Sequence, residues 1–206
     1  MQATSDTSRP LITGVILAGG QGRRMGTVDK GLVRLHDRPM AQWAIERLRP
    51  QVDTLLINAN QNLDSYARFG HPVVSDVVTG FAGPLAGLHA ALSQARTPLV
   101  VTVPCDSPLL PHDLVERLHH ALQTAHARLA IARSEGRMHP VFCLCRRDLL
   151  PHLSAFLEQG ARQFAHWANS LDAVPVDFDD QPDAFRNINT AEELQQLARS
   201  TTPPPE

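Results

Sequence analysis

The densest chemistry in the sequence lies in one segment, LAGGQGRRMGTVDKG, which runs from Leu17 to Gly31. Gly19, Gly20, Gly22 and Gly26 let the main chain come close to a ligand and adopt positive φ. Successive backbone N–H groups in such a loop cradle phosphate oxygens. Arg23, Arg24 and Lys30 add cations suited to a triphosphate. Two familiar phosphate loops do not fit. A Walker A loop needs Gly-Lys-Ser/Thr, whereas Lys30 is preceded by Asp29 and followed by Gly31; a dinucleotide fingerprint needs G-x-G-x-x-G, and its third position here is Met25. By glycine count alone, a generic turn with solvated arginines explains the segment equally well. Glycines, paired arginines and a lysine together, directly after an apolar run, point to phosphate binding.

Asp106 lies in PCDSP, Pro104 to Pro108, directly after the apolar run Pro98 to Val103. A hard cation such as Mg²⁺ takes one or two protein carboxylates and completes its shell with phosphate oxygens and water. Asp106 suits that role. An Asp-Ser-Pro that merely starts a turn is the competing reading, and the position after a central strand, facing the glycine loop, favours the ligand role. Asp76 ends VVSD, where a plain turn residue is a serious competitor. Asn58, in INAN, can offer a donor and an acceptor to a base or ribose. Asn187 and Asn189 flank Ile188 in NINT, so on an extended stretch both amides face one side; a polar linker before the last helix is the alternative. The 10 histidines form no ligand pattern, and His119-His120 reads as a solvated helix face.

These residues need a scaffold, and the apolar pattern supplies one. Leu11 to Leu17, Thr54 to Ala59, Pro72 to Val74, Pro98 to Val103, Leu129 to Ala132, Pro140 to Leu144 and Val174 to Phe178 read as strands. Helical spacing covers Pro39 to Leu48, Asn62 to Phe69, Gly83 to Ala95, Pro111 to Leu122, Arg147 to Glu158, Ala161 to Ala168 and Thr190 to Arg199. Pro84 sits at a helix start, where its missing N–H costs nothing. Thr190 with Glu193 fits a capping box. Strands alternating with helices imply an α/β fold, a three-layer Rossmann-like sandwich with a mostly parallel central sheet. Ligands bind such sheets beyond the carboxyl ends of the strands, which directs attention to Ala18–Lys30, Asn58–Asn60 and Pro104–Pro108.

With 206 residues, one domain is expected over residues 11–199, with frayed tails at 1–10 and 200–206. A formal net charge of −2 argues against a non-specific nucleic-acid binder. No apolar run has the length of a signal peptide core or a membrane span. Cys105, Cys143 and Cys145 are an odd set without disulfide or zinc spacing, and read as reduced, buried thiols of a cytoplasmic protein.

LAGGQGRRMG-x-x-DKGL resembles the N-terminal signature of the molybdenum cofactor guanylyltransferases, the MobA-type nucleotidyltransferases. The similarity continues through Asn58 in INAN, Asp76 in VVSD, GPLAG at Gly83 to Gly87, PCDSP, His139-Pro140 and NINT, in order and over nearly the whole chain. It implies transfer of GMP from Mg-GTP to the terminal phosphate of molybdenum-molybdopterin, with release of pyrophosphate. By that resemblance Leu17, Ala18, Gly19, Gly20, Gly22, Lys30, Asn58, Asp76, Gly83, Pro84, Leu85 and Asp106 contact the nucleotide. Asp106 holds Mg²⁺, and Asn187 and Asn189 hold the pterin. Residues to about 108 would then serve the nucleotide and those from about 109 the acceptor. Arg24 and Lys30 are assigned to neutralising charge at the phosphates, with Arg23 nearer the rim. LAGG and GPLAG match the guanine-using members, since cytosine-using relatives usually begin LAAG. One departure is Thr27, where the family often has a second glycine. His139 receives no role.

Other readings remain on the sequence: a nucleotidylyltransferase for another small phosphate acceptor, a CTP-using molybdopterin enzyme, or a non-catalytic molybdopterin carrier. Transient docking to a molybdoenzyme or its chaperone is compatible with catalysis, and no surface motif identifies such a partner.

Overall fold

The computed structural model of the chain describes residues 10–20, 29–78 and 83–201. In chain order its elements are β1 (Ile12–Leu17), β2 (Arg34–Leu35), β3 (Arg38–Pro39), α1 (Met40–Leu48), β4 (Thr54–Asn58), α2 (Leu63–Ala67), β5 (Val73–Val74), α3 (Pro84–Gln94), β6 (Leu99–Pro104), α4 (Leu114–Thr124), β7 (Leu129–Ser134), β8 (Arg137–Arg146), α5 (Leu150–Glu158), α6 (Phe164–Asn169), β9 (Val174–Asp177) and α7 (Ala191–Ser200).

Strand side chains alternate between faces, and this period of two divides the core. Ile12 and Ile16 of β1, Val101 and Val103 of β6, and Phe142 and Leu144 of β8 enter one apolar cluster with α1 and α4. Val15, Val100, Cys143 and Cys145 point the other way and pack with Leu88 and Leu92 of α3, Leu153 of α5 and Trp167 of α6. The C-x-C pair is therefore two core residues on one face of β8. All three cysteines are free and buried, and burial pushes the Cys143 thiol up to about 12. Each fully buried aliphatic side chain contributes about 1.5–3 kcal/mol, so the two faces together make a three-layer sandwich that needs no cross-link.

The main sheet has the order β5-β4-β1-β6-β8-β7-β9. Every pairing is parallel except those of β8 with β6 and β7. The reversal has a local cause. Ser134 pairs with Arg137 across Glu135 and Gly136, whose φ values are 49° and 73°. Two residues at positive φ make a tight hairpin turn, and a turn that short can only return the chain antiparallel. A second small hairpin, β2–β3, turns at His36 with φ 51°.

Several boundaries differ from the sequence expectation. The expected strand Pro140–Leu144 is the inner half of a ten-residue β8. The expected helix from Pro111 begins at Leu114, and the one from Arg147 opens as a 3-10 turn before α5. The Thr190–Glu193 capping box forms as expected, and α7 runs to Ser200. His120 is exposed, whereas His119 is half-buried at a cavity wall rather than on a solvated face. Residues 1–9 and 202–206 lie outside the described residues. Among those described, no helix is long and apolar enough to cross a membrane.

Candidate active site

Leu17 pairs with Asn58 on one side and with Pro104 on the other, so three neighbouring strands end at one level. Ala18 N–H donates to Asn58 O at 2.8 Å and Cys105 N–H to Leu17 O at 3.1 Å, which carries the ladder one residue past each strand. The loops then diverge around a cleft of about 440 Å³. Leu17, Ala18, Gly19, Gly20, Lys30, Asn58, Asp76, Gly83, Pro84, Asp106 and Asn187 all line it. Leu85 does not: its side chain is buried in the α3 face of the core, and only its position in the first turn of α3 brings it near. Gly22, Arg23, Arg24, Gly26 and Thr27 lie outside the described residues.

Lys30 is held at the centre. Of the chain's 19 lysines and arginines it alone is a lysine. Its Nζ donates to Asp106 Oδ2 at 3.0 Å and to Asn189 Oδ1 at 2.6 Å. An ammonium has three donors, so these two bonds leave one for a ligand oxygen. Ser107 Oγ donates to Asn187 Oδ1 at 2.8 Å, Asn189 Nδ2 donates to Asn187 O at 3.0 Å, and Ile188 N–H donates to Asp106 O at 2.9 Å. NINT is thus sewn to PCDS. Ile188 turns the opposite way, into a small apolar cluster with Leu35, Met40 and Trp43.

On the other wall Asp76 is gripped by two amides. Asn58 Nδ2 donates to its Oδ1 and Asn60 Nδ2 to its Oδ2, each at 2.8 Å, while Asp76 N–H donates to Asn60 Oδ1 at 2.9 Å. Asn60 also reaches Gly19 O at 3.3 Å. A Cβ on Gly19 would lie 2.8 Å from Asn60 Nδ2, so the glycine is what lets the strand-end asparagines close on the loop. Asn60 bounds the Asn58–Asn60 stretch expected at the sheet edge but carries no role of its own in the sequence, although it completes the INAN motif and its spacing from Asn58 places it on the same side.

Asp106 is 7% exposed and directs a carboxylate into the cleft. Among the described residues its Oδ2 is taken by Lys30 and no hydrogen bond falls on Oδ1. No group of three or more His, Cys, Asp or Glu among them could hold a metal alone. A hard cation here would draw its remaining ligands from phosphate and water, the donor set that suits Mg²⁺. Burial raises the Cys105 thiol well above its ordinary value, helped by the charges of Asp106 and Asp29, so Cys105 is no thiolate nucleophile.

A second cavity of about 630 Å³ adjoins the first and shares Pro104, Val141 and Asn187 with it. Arg137, His139, Arg186 and Asn189 also line it. His139 stacks on Phe185 with centroids 4.7 Å apart, and its Nε2 lies 2.7 Å from Ser134 Oγ. Two adjoining chambers meet at Lys30 and NINT.

Residues 14–174 match the model of the MobA-like NTP transferase domain. The chain belongs to that family. It is 48% identical over 191 residues to a molybdenum cofactor guanylyltransferase of Shewanella loihica, covering 93% of this chain and 97% of the relative. A molybdenum cofactor guanylyltransferase of Cupriavidus necator is 52% identical over 193 residues, with 91% and 96% covered. The crystal structure of molybdopterin-guanine dinucleotide biosynthesis protein A from Archaeoglobus fulgidus superposes with a TM-score of 0.76 at 23% identity, over 92% of this chain and 98% of that one. That likeness carries the fold.

Proposed function

We propose that this member of the MobA-like NTP transferase family transfers GMP from Mg-GTP to the terminal phosphate of molybdenum-molybdopterin, releasing pyrophosphate and forming the guanine dinucleotide cofactor. The observation that carries the reading is Lys30, bonded at once to Asp106 in the nucleotide cleft and to Asn189 in the adjoining chamber. A cation there lies between an incoming triphosphate and an acceptor phosphate. The names of the relatives at 48% and 52% identity support the acceptor and the base.

Nucleotidyl transfer breaks the α–β phosphoanhydride and forms a new P–O bond from the acceptor phosphate to the α-phosphorus. The acceptor oxygen is already anionic, so no strong general base is needed. The protein's contribution is alignment and charge stabilisation. Lys30 offers its third N–H to phosphate oxygens and can release Asp106 as it does so. Asp106 would hold Mg²⁺, which when bound would supply positive charge to offset that on the departing pyrophosphate. Asp76, held rigid by Asn58 and Asn60, presents a fixed acceptor edge to the nucleoside. Gly83 and Pro84 also line the cleft.

The second chamber takes the pterin. Arg137 and Arg186 supply cations for its phosphate, and Asn187 and Asn189 supply amides. Residues to about 108 thereby serve GTP and later residues serve the acceptor.

The test is pyrophosphate release from Mg²⁺ and molybdate-charged molybdopterin, with GTP and CTP in parallel. Release with GTP is expected. Faster release with CTP would overturn the base assignment, and release only with a sugar phosphate would overturn the acceptor.

A further inference from the structure

Lys30 is placed by a short turn closed by two backbone bonds, Leu32 N–H to Asp29 O at 3.0 Å and Val33 N–H to Lys30 O at 3.1 Å. It opens a three-residue 3-10 turn, Lys30–Leu32, and such turns have poor hydrogen-bond geometry. Asp29 stabilises this one by capping it, with Oδ1 accepting from Gly31 N–H at 3.2 Å. Asp29 is itself anchored from α2. The Tyr66 hydroxyl donates to the same Oδ1 at 2.6 Å, and Asn62 Nδ2 donates to Oδ2 at 3.0 Å. Tyr66 is the chain's single tyrosine and is fully buried. Its ring meets Phe69 edge-on with centroids 6.0 Å apart. Gly31 completes the fit, because a Cβ there would run into the Tyr66 hydroxyl and Cys105. Burial drives the phenol's proton loss far above the ordinary range, so the hydroxyl is a permanent donor.

We infer that Tyr66 and Asn62 are positioning residues for the transfer reaction, acting through Asp29 to hold the sole lysine, Lys30, at the junction of the two chambers. The inference rests on the reaction proposed above for its kinetic consequence and on geometry alone for its structural one. Charge-assisted bonds to a carboxylate are short and directional. Two of them on Asp29 fix where the turn begins, and hence where Nζ ends.

The single lysine makes the test clean. Full-length protein grown with lysine labelled by ¹³C at Cε gives one lysine side-chain signal. Tyr66→Phe keeps the buried ring and removes only the hydroxyl. Asn62→Gly acts from the surface and keeps the positive φ of 50° at that position. Both are expected to shift the Lys30 signal without any substrate present, and to lower GMP transfer by about ten-fold. Phe69→Leu, which touches the Tyr66 ring but not Asp29, is expected to leave the signal in place. In a Lys30→Ala background Tyr66→Phe should lower turnover by less than about two-fold, since residues acting as one unit are not additive. An unmoved Lys30 signal in both variants would overturn the relay whatever the reaction proves to be. Losses that multiply in the Lys30→Ala background would overturn its action through Lys30.

Discussion

Lys30 and Asp106 are 76 residues apart in the chain, and their charged groups are 3.0 Å apart in space. One follows the loop after β1 and the other the end of β6, neighbouring parallel strands whose carboxyl ends coincide. The pair is largely enclosed, with side-chain exposures of 20% and 10%, so its contacts are little screened by solvent.

Removing either partner leaves the other charge largely enclosed without its counter-ion and should cost catalysis. Lys30→Ala and Asp106→Ala are each expected to lower turnover by about 10²–10³. Lys30→Arg should not restore it, because a planar guanidinium cannot point three tetrahedral donors at Asp106, Asn189 and a phosphate. Pyrophosphate release with circular dichroism checks this. Near-normal turnover in both alanine variants would sink the roles.

Much of this site was legible in the sequence because its residues cluster at strand ends. Gly19, Asn58 and Asp106 each follow an apolar run, and a parallel sheet brings such ends to one edge whatever the intervening length. The hairpin was not legible as such: Glu135-Gly136 is a weak turn signal beside Asn-Gly, so β7 and β8 read as separate strands rather than an antiparallel pair. Leu85 was drawn in by its motif, yet its apolar side chain follows the helix stripe into the core. Tyr66 and Asn62 carry no local sequence signal for Lys30, since their link to it exists only through Asp29 in three dimensions.

Gly87→Ala sets helix propensity against packing. Alanine gains up to about 1 kcal/mol in a helix interior. Its Cβ would lie 2.8 Å from Leu17 Cδ2 and press into the Asn58 amide, and overpacking costs about 1–3 kcal/mol. A Tm drop of about 2–4 °C is expected, with weaker GTP binding as Asn58 loses its grip on Asp76. A raised Tm with unchanged GTP affinity by calorimetry would contradict this.

The two asparagines of NINT should separate kinetically. Asn187 bonds Ser107 and lines both chambers, whereas Asn189 bonds Lys30. Asn187→Ala is expected to raise the acceptor KM by about ten-fold and leave the GTP KM within about two-fold. Asn189→Ala should lower kcat as well. Equal effects of both on the GTP KM alone would count against the acceptor role.

Burial, aided by Arg137, lowers the pKa of His139, and His71 and His89 shift the same way. Their neutral forms favour the fold, so this stability is complete above the unfolded value of about 6.5 and is lost as pH falls through the folded values. Tm should hold steady near pH 7 and decline toward pH 5. His139→Gln should shallow that decline in thermal melts, and an unchanged slope would refute a share for His139.

The most direct test of the transfer reaction follows the label. Protein, Mg²⁺ and molybdate-charged molybdopterin are incubated with GTP carrying ³²P at the α position or at the γ position, and the products are separated. The α-label is expected in the pterin dinucleotide and the γ-label in pyrophosphate. Label from the γ position in the pterin product, or α-label that remains in a free guanine nucleotide while pyrophosphate is released, would contradict the proposed transfer.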